Sequence, residues 1–204
     1  MPVARLAFEG LSRRFDRLVV LDRVSGEVES GGLFAVRGPN GSGKSTLLRC
    51  LAGLLAPDRG RVVAVEDGRA LANDERRRRV GLLAPDIAFY DELSVSENLE
   101  LVARLRGLPP ASGRAVAERL GLPAARPWRA LSSGMRQRLR WAFAVLHRPR
   151  LLLLDEPFQN LDDDGERIAR ALLDEHLENG GLAVAASPVS LPLPRISGEL
   201  RLDR

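Results

Sequence analysis

Nine residues constrain this chain more than any others: Gly38-Pro39-Asn40-Gly41-Ser42-Gly43-Lys44-Ser45-Thr46. Ahead of them Leu33-Phe34-Ala35-Val36 reads as a buried strand, and behind them 45–55 reads as a helix stopped by Pro57 and Gly60. The segment satisfies the pattern G-x-x-x-x-G-K-[ST]. Its glycines let backbone N–H groups turn inward around phosphate oxygens, and the following helix points its positive end at the same anion. In such a loop Lys44 reaches the β- and γ-phosphates and the Ser45 hydroxyl binds Mg²⁺. Lys44 is the only lysine among 31 Lys+Arg. Arginine serves everywhere else, so this slot wants a compact ammonium and not a forked guanidinium.

A second motif completes the phosphate site. Leu151-Leu152-Leu153-Leu154-Asp155-Glu156 reads as a buried strand that delivers Asp155 to the Mg²⁺ shell. Glu156, next in the chain, can polarise the water that attacks the γ-phosphate. Further strands are expected at 61–65, 80–83 and 182–186, with an amphipathic helix near 163–177. Between them, 86–146 reads as wholly helical. Ser94-Val95-Ser96-Glu97 is a capping box, followed by Val95, Leu99, Val102 and Leu105 at helical spacing. That helix ends at Gly107, and a shorter one over 112–120 stops at Gly121. The pattern is that of an α/β fold: a mostly parallel sheet covered by helices, with a helical lobe inserted.

Composition limits the alternatives. A chain of 204 residues, 45% hydrophobic and 28% charged, is globular and the right size for one domain. No apolar run approaches the roughly 20 residues that span a bilayer. The start, Met1-Pro2-Val3-Ala4-Arg5, lacks a secretory apolar stretch, so a cytosolic location is expected. Cys50, the single cysteine, reads as a small core residue. The net charge is +4, and the run Arg76-Arg77-Arg78-Arg79 reads as a solvated surface. With 4% aromatic residues there is little for bases to stack on, and no nucleic-acid partner is expected.

Leu131-Ser132-Ser133-Gly134-Met135-Arg136-Gln137-Arg138, just ahead of the Asp-Glu strand, resembles the signature of ABC ATPases, usually L-S-G-G-Q followed by basic residues. Ser133 and Met135 depart from the commonest form. The resemblance extends over nearly the whole chain and implies a phosphate-loop NTPase core with N-terminal antiparallel β elements. Residues 1–85 and 147–204 would form that RecA-like core, and about 86–146 the helical lobe. ATP and Mg²⁺ would be the cofactors. Gly38, Pro39, Asn40, Gly41, Ser42, Gly43, Lys44, Ser45 and Thr46 would hold the nucleotide, with Ser45 and Asp155 on the metal and Lys44 and Glu156 catalytic. Phe15 would stack on adenine. The Ser132 hydroxyl and the Gly134 N–H would contact the γ-phosphate held by the other subunit of a dimer, and Asp162 of Asn160-Leu161-Asp162 would couple the two sites. Partners would be a transmembrane permease subunit and a second ATPase, identical or different, placing the chain peripherally on the inner face of the cell membrane. Its short length and signature look most like the compact ATPases of ABC-2-type and heme exporters.

Two positions break the pattern. Pro85, with Asp86 beside it, occupies the slot of a glutamine that contacts Mg²⁺ and the attacking water. Ser187-Pro188 stand where a Thr-His pair would sense the γ-phosphate, and neither His147 nor His176 can readily replace that histidine. Three consequences are open: slow hydrolysis, reliance on Glu156, or Ser187 as a weaker phosphate contact. Asp86 is a candidate Mg²⁺ ligand. A non-transport ABC ATPase in repair, translation or metallocluster assembly is the rival reading, with an ATP-dependent dimerisation module of weak hydrolysis as the third.

Overall fold

The computed structural model describes residues 4–190, 193 and 195–203, and places the chain in two sheets that share an apolar core. β1 (Ala4–Phe15) and β2 (Leu18–Glu29) form an antiparallel hairpin closed at Asp16-Arg17. The second sheet uses β3 (Leu33–Arg37), whose apolar residues are all buried. β4 (Arg59–Glu66) and β5 (Arg69–Ala70) join the hairpin in an antiparallel sheet of order β2-β1-β4-β5. β6 (Val80–Leu83), β7 (Leu151–Asp155), β8 (Leu182–Ser187) and β9 (Ile196–Arg201) join β3 in the order β6-β7-β8-β3-β9. Every pairing in that second sheet is parallel. Its central strands are continuous apolar runs because both their faces are covered.

Register sets up the site. Asp155 pairs with Ala186, and Arg37 with Ser187 and Arg201, so β3, β7 and β8 end together at one edge. Ligands of open α/β sheets bind outside such carboxyl ends.

α1 (Lys44–Ala52) lies between the two sheets, where Leu47, Leu48 and Leu51 pack with Phe8, Leu11, Val36, Leu153 and Val184. α2 (Asn73–Arg79) follows the antiparallel sheet. α3 (Val95–Leu105), α4 (Ala111–Arg119), a 3-10 turn (Trp128–Ala130) and α5 (Ser133–Val145) come before β7, and α6 (Asp163–Glu178) after it. On the other face of the parallel sheet, Leu139, Trp141 and Ala142 of α5 pack with Leu152, Leu154 and Leu173. Leu99, Ala117 and Leu120 of α3 and α4 belong to the same apolar cluster.

Several expectations need correction. α1 stops at Ala52, three residues short of its expected end, because Gly53 adopts φ 74 and turns its N–H back to Cys50 O. The strand expected at 61–65 forms as part of β4, in the antiparallel sheet. The arginine run is not all solvated. It forms the last turn of α2, and Arg76 is buried with Nη1 donating to Val62 O at 3.2 Å. β9 was not anticipated. The capping box at Ser94 forms as expected, with Ser94 N donating to Glu97 Oε2 at 2.8 Å and Glu97 N to Ser94 Oγ at 3.3 Å. The N-terminal antiparallel elements are β1 and β2. Among the described residues no helix is long and apolar enough to cross a membrane.

Candidate functional site

The loop between β3 and α1 is closed from within. Gly43 sits at φ 99, and a Cβ there would lie 2.8 Å from Val20 O, so only glycine lets the loop rest on β2. Lys44 is 5% exposed, its Nζ donating to Gly38 O at 2.7 Å and Pro39 O at 2.8 Å. The ammonium is thereby fixed inside the loop it follows. Pro39, Asn40, Gly41 and Ser45 are exposed, and Thr46 is half-buried. α1 starts with no side-chain cap and no acidic residue in its first turn, which leaves its first N–H groups free for an anion. Ser42 Oγ is buried without a hydrogen-bond partner.

Asp155 ends β7 directly beside this helix start. Burial pushes its carboxyl up from the ordinary value, and the nearby Ser45 hydroxyl and the charges of Lys44 and Arg49 partly offset that. A hydroxyl and a carboxylate at one corner are the hard oxygen donors that Mg²⁺ takes alongside phosphate. An uncapped helix start, an orphaned loop hydroxyl, a buried ammonium and this oxygen pair together fit a Mg-nucleotide.

Glu156 follows at φ 50, a left-handed conformation that costs a non-glycine residue roughly 1–3 kcal/mol. It is held there by its own N–H on Ala186 O at 2.9 Å and by α5. Gln137 Nε2 donates to Glu156 O at 3.0 Å and Pro157 O at 3.1 Å, while Trp141 Nε1 donates to Pro157 O at 2.8 Å. Gln137 and Trp141 are four apart and so share one face of the helix. No motif gives either residue a role, and their four-residue spacing is the signal in the sequence that pairs them.

Ser132 N-caps α5, its Oγ accepting from Met135 N at 3.2 Å and its own O–H remaining free to donate. It is exposed. A Cβ on Gly134 would lie 2.8 Å from Asn160 O, so glycine is required by that close approach. Asp162 N-caps α6 by accepting from Gly165 N at 2.9 Å, and it pairs with Arg138 of α5. Those two bonds hold its carboxyl below the usual range. The structure therefore joins the signature segment to 160–162 within one chain. Among the described residues no hydrogen bond joins Ser132 or Gly134 to the phosphate loop. Phe15 is 44% exposed at the end of β1, with the Arg13 guanidinium 4.9 Å from its ring centroid.

At the first nonconforming position, Asp86 is engaged by Arg49 of α1 (2.6 Å), and Pro85 O accepts from Arg140 at 2.9 Å. At the second, Ser187 is 4% exposed, its Oγ accepting from Val189 N at 3.2 Å, and Pro188 is exposed. Both histidines lie at the far end of the sheet. His147 Nε2 contacts Val80 O and His176 Nε2 contacts Leu182 O, at the first residues of β6 and β8 (3.0 Å each). Neither stands in for the missing histidine. Burial, then the charge of Arg106, pushes His147 down from 6.5 to about 4. The unfolded chain then binds more protons than the folded one between those values. The stability that neutral His147 contributes is present above pH 6.5 and lost as pH falls toward about 4. Urea midpoints measured across this window are expected to fall with pH, less steeply in His147→Gln.

A parallel sheet with a glycine loop and an Asp-Glu pair at its carboxyl edge, flanked by an antiparallel sheet, is a phosphate-loop nucleotide-binding fold. The chain belongs to the ABC transporter family, whose sequence model, described as "ABC transporter", matches residues 21–159. It is 38% identical to the cytochrome c biogenesis ATP-binding export protein CcmA of Cupriavidus necator, over 97% of this chain and 88% of that protein. It is 44% identical to the Fe(3+) ions import ATP-binding protein FbpC of Streptomyces coelicolor, over 79% of this chain and 48% of that one. The chain thus spans about half the length of that importer subunit. A solved ATP-binding subunit of an ABC transporter superposes with a TM-score of 0.76 at 29% identity, covering 89% of this chain and 78% of that one.

Proposed function

We propose that this chain is the ATP-hydrolysing engine of a transporter. It closes on a second ATPase subunit around Mg-ATP and drives a separate membrane-embedded permease from the inner face of the membrane. The observation that carries this reading is the convergence of Lys44, Ser45, Asp155 and Glu156 at one sheet edge, with the Ser45 hydroxyl near a buried Asp155. When bound, Mg²⁺ supplies charge neutralisation to the phosphate oxygens. Ser45 and Asp155 would hold it, Lys44 would meet the β- and γ-phosphates, and Glu156 would take the proton of the attacking water. Phe15 would receive the adenine on the ring face away from Arg13. The exposed Ser132 and the first turn of α5, with Gly134, would close over the partner subunit's nucleotide, with Asp162 linking the two sites. In this reading 86–146 is a lobe that carries the signature against a core of 1–85 and 147–204.

Hydrolysis is expected to be slow, because Pro85 and Pro188 offer no side-chain donor or acceptor. Ser187 is the hydroxyl left at that corner, and its proton is still free. Ser187→Ala is expected to lower kcat about three- to tenfold, read by phosphate release. An unchanged rate would remove Ser187 from the site.

The transport reading is tested by tagging the chain in its native cell, solubilising in mild detergent and identifying what co-purifies. A polytopic membrane protein in stoichiometric yield is the expected result. A soluble assembly without a membrane component would assign the same nucleotide chemistry to repair, translation or metallocluster assembly. Relatives at similar identity serve both an importer and an exporter, so the cargo is expected to be set by that membrane partner.

A further inference from the structure

Helix α5 carries a chain of hydrogen bonds that links two positions far apart in sequence. At one end is the carbonyl of Pro85, which accepts from Arg140 Nη2 at 2.9 Å. Arg140 Nη1 lies 3.4 Å from Gln137 Oε1, one turn earlier on the helix. Gln137 is 4% exposed, and its amide nitrogen donates to Glu156 O and Pro157 O. Two carbonyls facing that nitrogen fix the amide's orientation, which turns its oxygen to the guanidinium. Trp141, the next residue on the same face, secures Pro157 O as well.

The arginine end is built, not incidental. Arg140 Cζ lies 5.6 Å from the ring centroid of buried Trp128, and Phe89 packs on the same ring at 4.8 Å. The segment that begins at Pro85 therefore meets Arg140 directly through a carbonyl, and Phe89 and Arg140 pack on the same Trp128 ring. Arg140 Nε is buried without a partner, a cost tolerated only if the other nitrogens need that position. At the far end Glu156 occupies a strained φ that persists because its surroundings over-determine it, and Gln137 is one of those surroundings.

We infer that Arg140 is a positioning residue: acting through Gln137, it ties the 85–89 segment to the backbone of Glu156, and so couples movement of that segment to the carboxylate's placement. A proline at 85 leaves only its carbonyl to be read, and Arg140 reads it. The inference rests on the proposed reading of Glu156 as the base.

Both tryptophans of the chain, Trp128 and Trp141, lie along this path, so their emission reports on it independently of turnover. Binding of a non-hydrolysable ATP analogue with Mg²⁺ is expected to change that emission in the unsubstituted chain. In Arg140→Met the analogue should bind with a Kd within about twofold, while the emission change falls by about half or more. Arg140→Met should also lower kcat roughly tenfold with KM for ATP within about twofold. Arg140→Lys, which keeps the charge but reaches one acceptor and not both, should fall between. An unsubstituted chain whose emission does not respond to the analogue overturns the inference. So does Arg140→Met with unchanged kcat, or a loss of affinity and melting temperature that Arg140→Lys does not relieve. Unslowed hydrolysis by Glu156→Gln would instead remove the base assignment, leaving the emission result to stand on its own.

Discussion

Glu156→Gln is expected to bind Mg-ATP with the affinity of the unsubstituted chain and to hydrolyse it about 10²–10⁴-fold more slowly. The substitution preserves shape. The backbone bonds that hold position 156, its N–H on Ala186 O and its carbonyl under Gln137, involve no carboxylate oxygen and survive the change. The strained φ of 50 is no worse for glutamine than for glutamate. What disappears is an acceptor for the proton of water. Equilibrium nucleotide binding and phosphate release on one preparation separate the two effects. A rate within about threefold of the unsubstituted chain would show that the proton goes elsewhere.

Lys44→Ala should fail in both respects, which distinguishes a phosphate contact from a base. Its ammonium bonds to the carbonyls of Gly38 and Pro39 from a buried position, so alanine strips the loop of its internal pin as well as its charge. Turnover is expected to fall on the order of 10²–10³-fold, with ATP affinity weakened by at least about tenfold. Lys44→Arg should recover little. A forked guanidinium does not fit the space a compact ammonium occupies between two carbonyls 2.7 and 2.8 Å away. Calorimetric titration with Mg-ATP and a steady-state rate suffice. Unaltered affinity in Lys44→Ala would move the phosphate site away from this loop.

The motif residues were legible because their chemistry is local. A strand, a glycine loop and a helix start are contiguous from Leu33 to Ala52, and a buried parallel strand such as Leu151–Asp155 announces itself as an unbroken apolar run. Local pattern failed wherever the decisive contact lay elsewhere in the chain. β9 alternates exposed and half-buried residues and gains its place only by pairing with β3. The β1–β2 hairpin is interrupted by register shifts near Phe8, Leu11 and Arg13, so its alternation does not read cleanly, and only resemblance anticipated it. Arg76 looked solvated among its arginine neighbours, but the carbonyl of Val62 draws it inward. Gln137 lies 19 residues from the carbonyl it supports, and Arg140 lies 55 from Pro85. The pairing of Asp86 with Arg49 of α1, 37 residues earlier, was likewise not legible from its place in the chain.

The proposed joining of two such subunits by ATP, through the exposed start of α5, can be read from the sedimentation of Glu156→Gln. With Mg-ATP the protein should sediment as a dimer, and with Mg-ADP as a monomer; Ser132→Arg should abolish the dimer while leaving ATP binding to the monomer intact. A chain that binds Mg-ATP yet remains monomeric at every concentration, alone and with any ATPase partner recovered from its own cell, would rule out the ATP-bridged dimer.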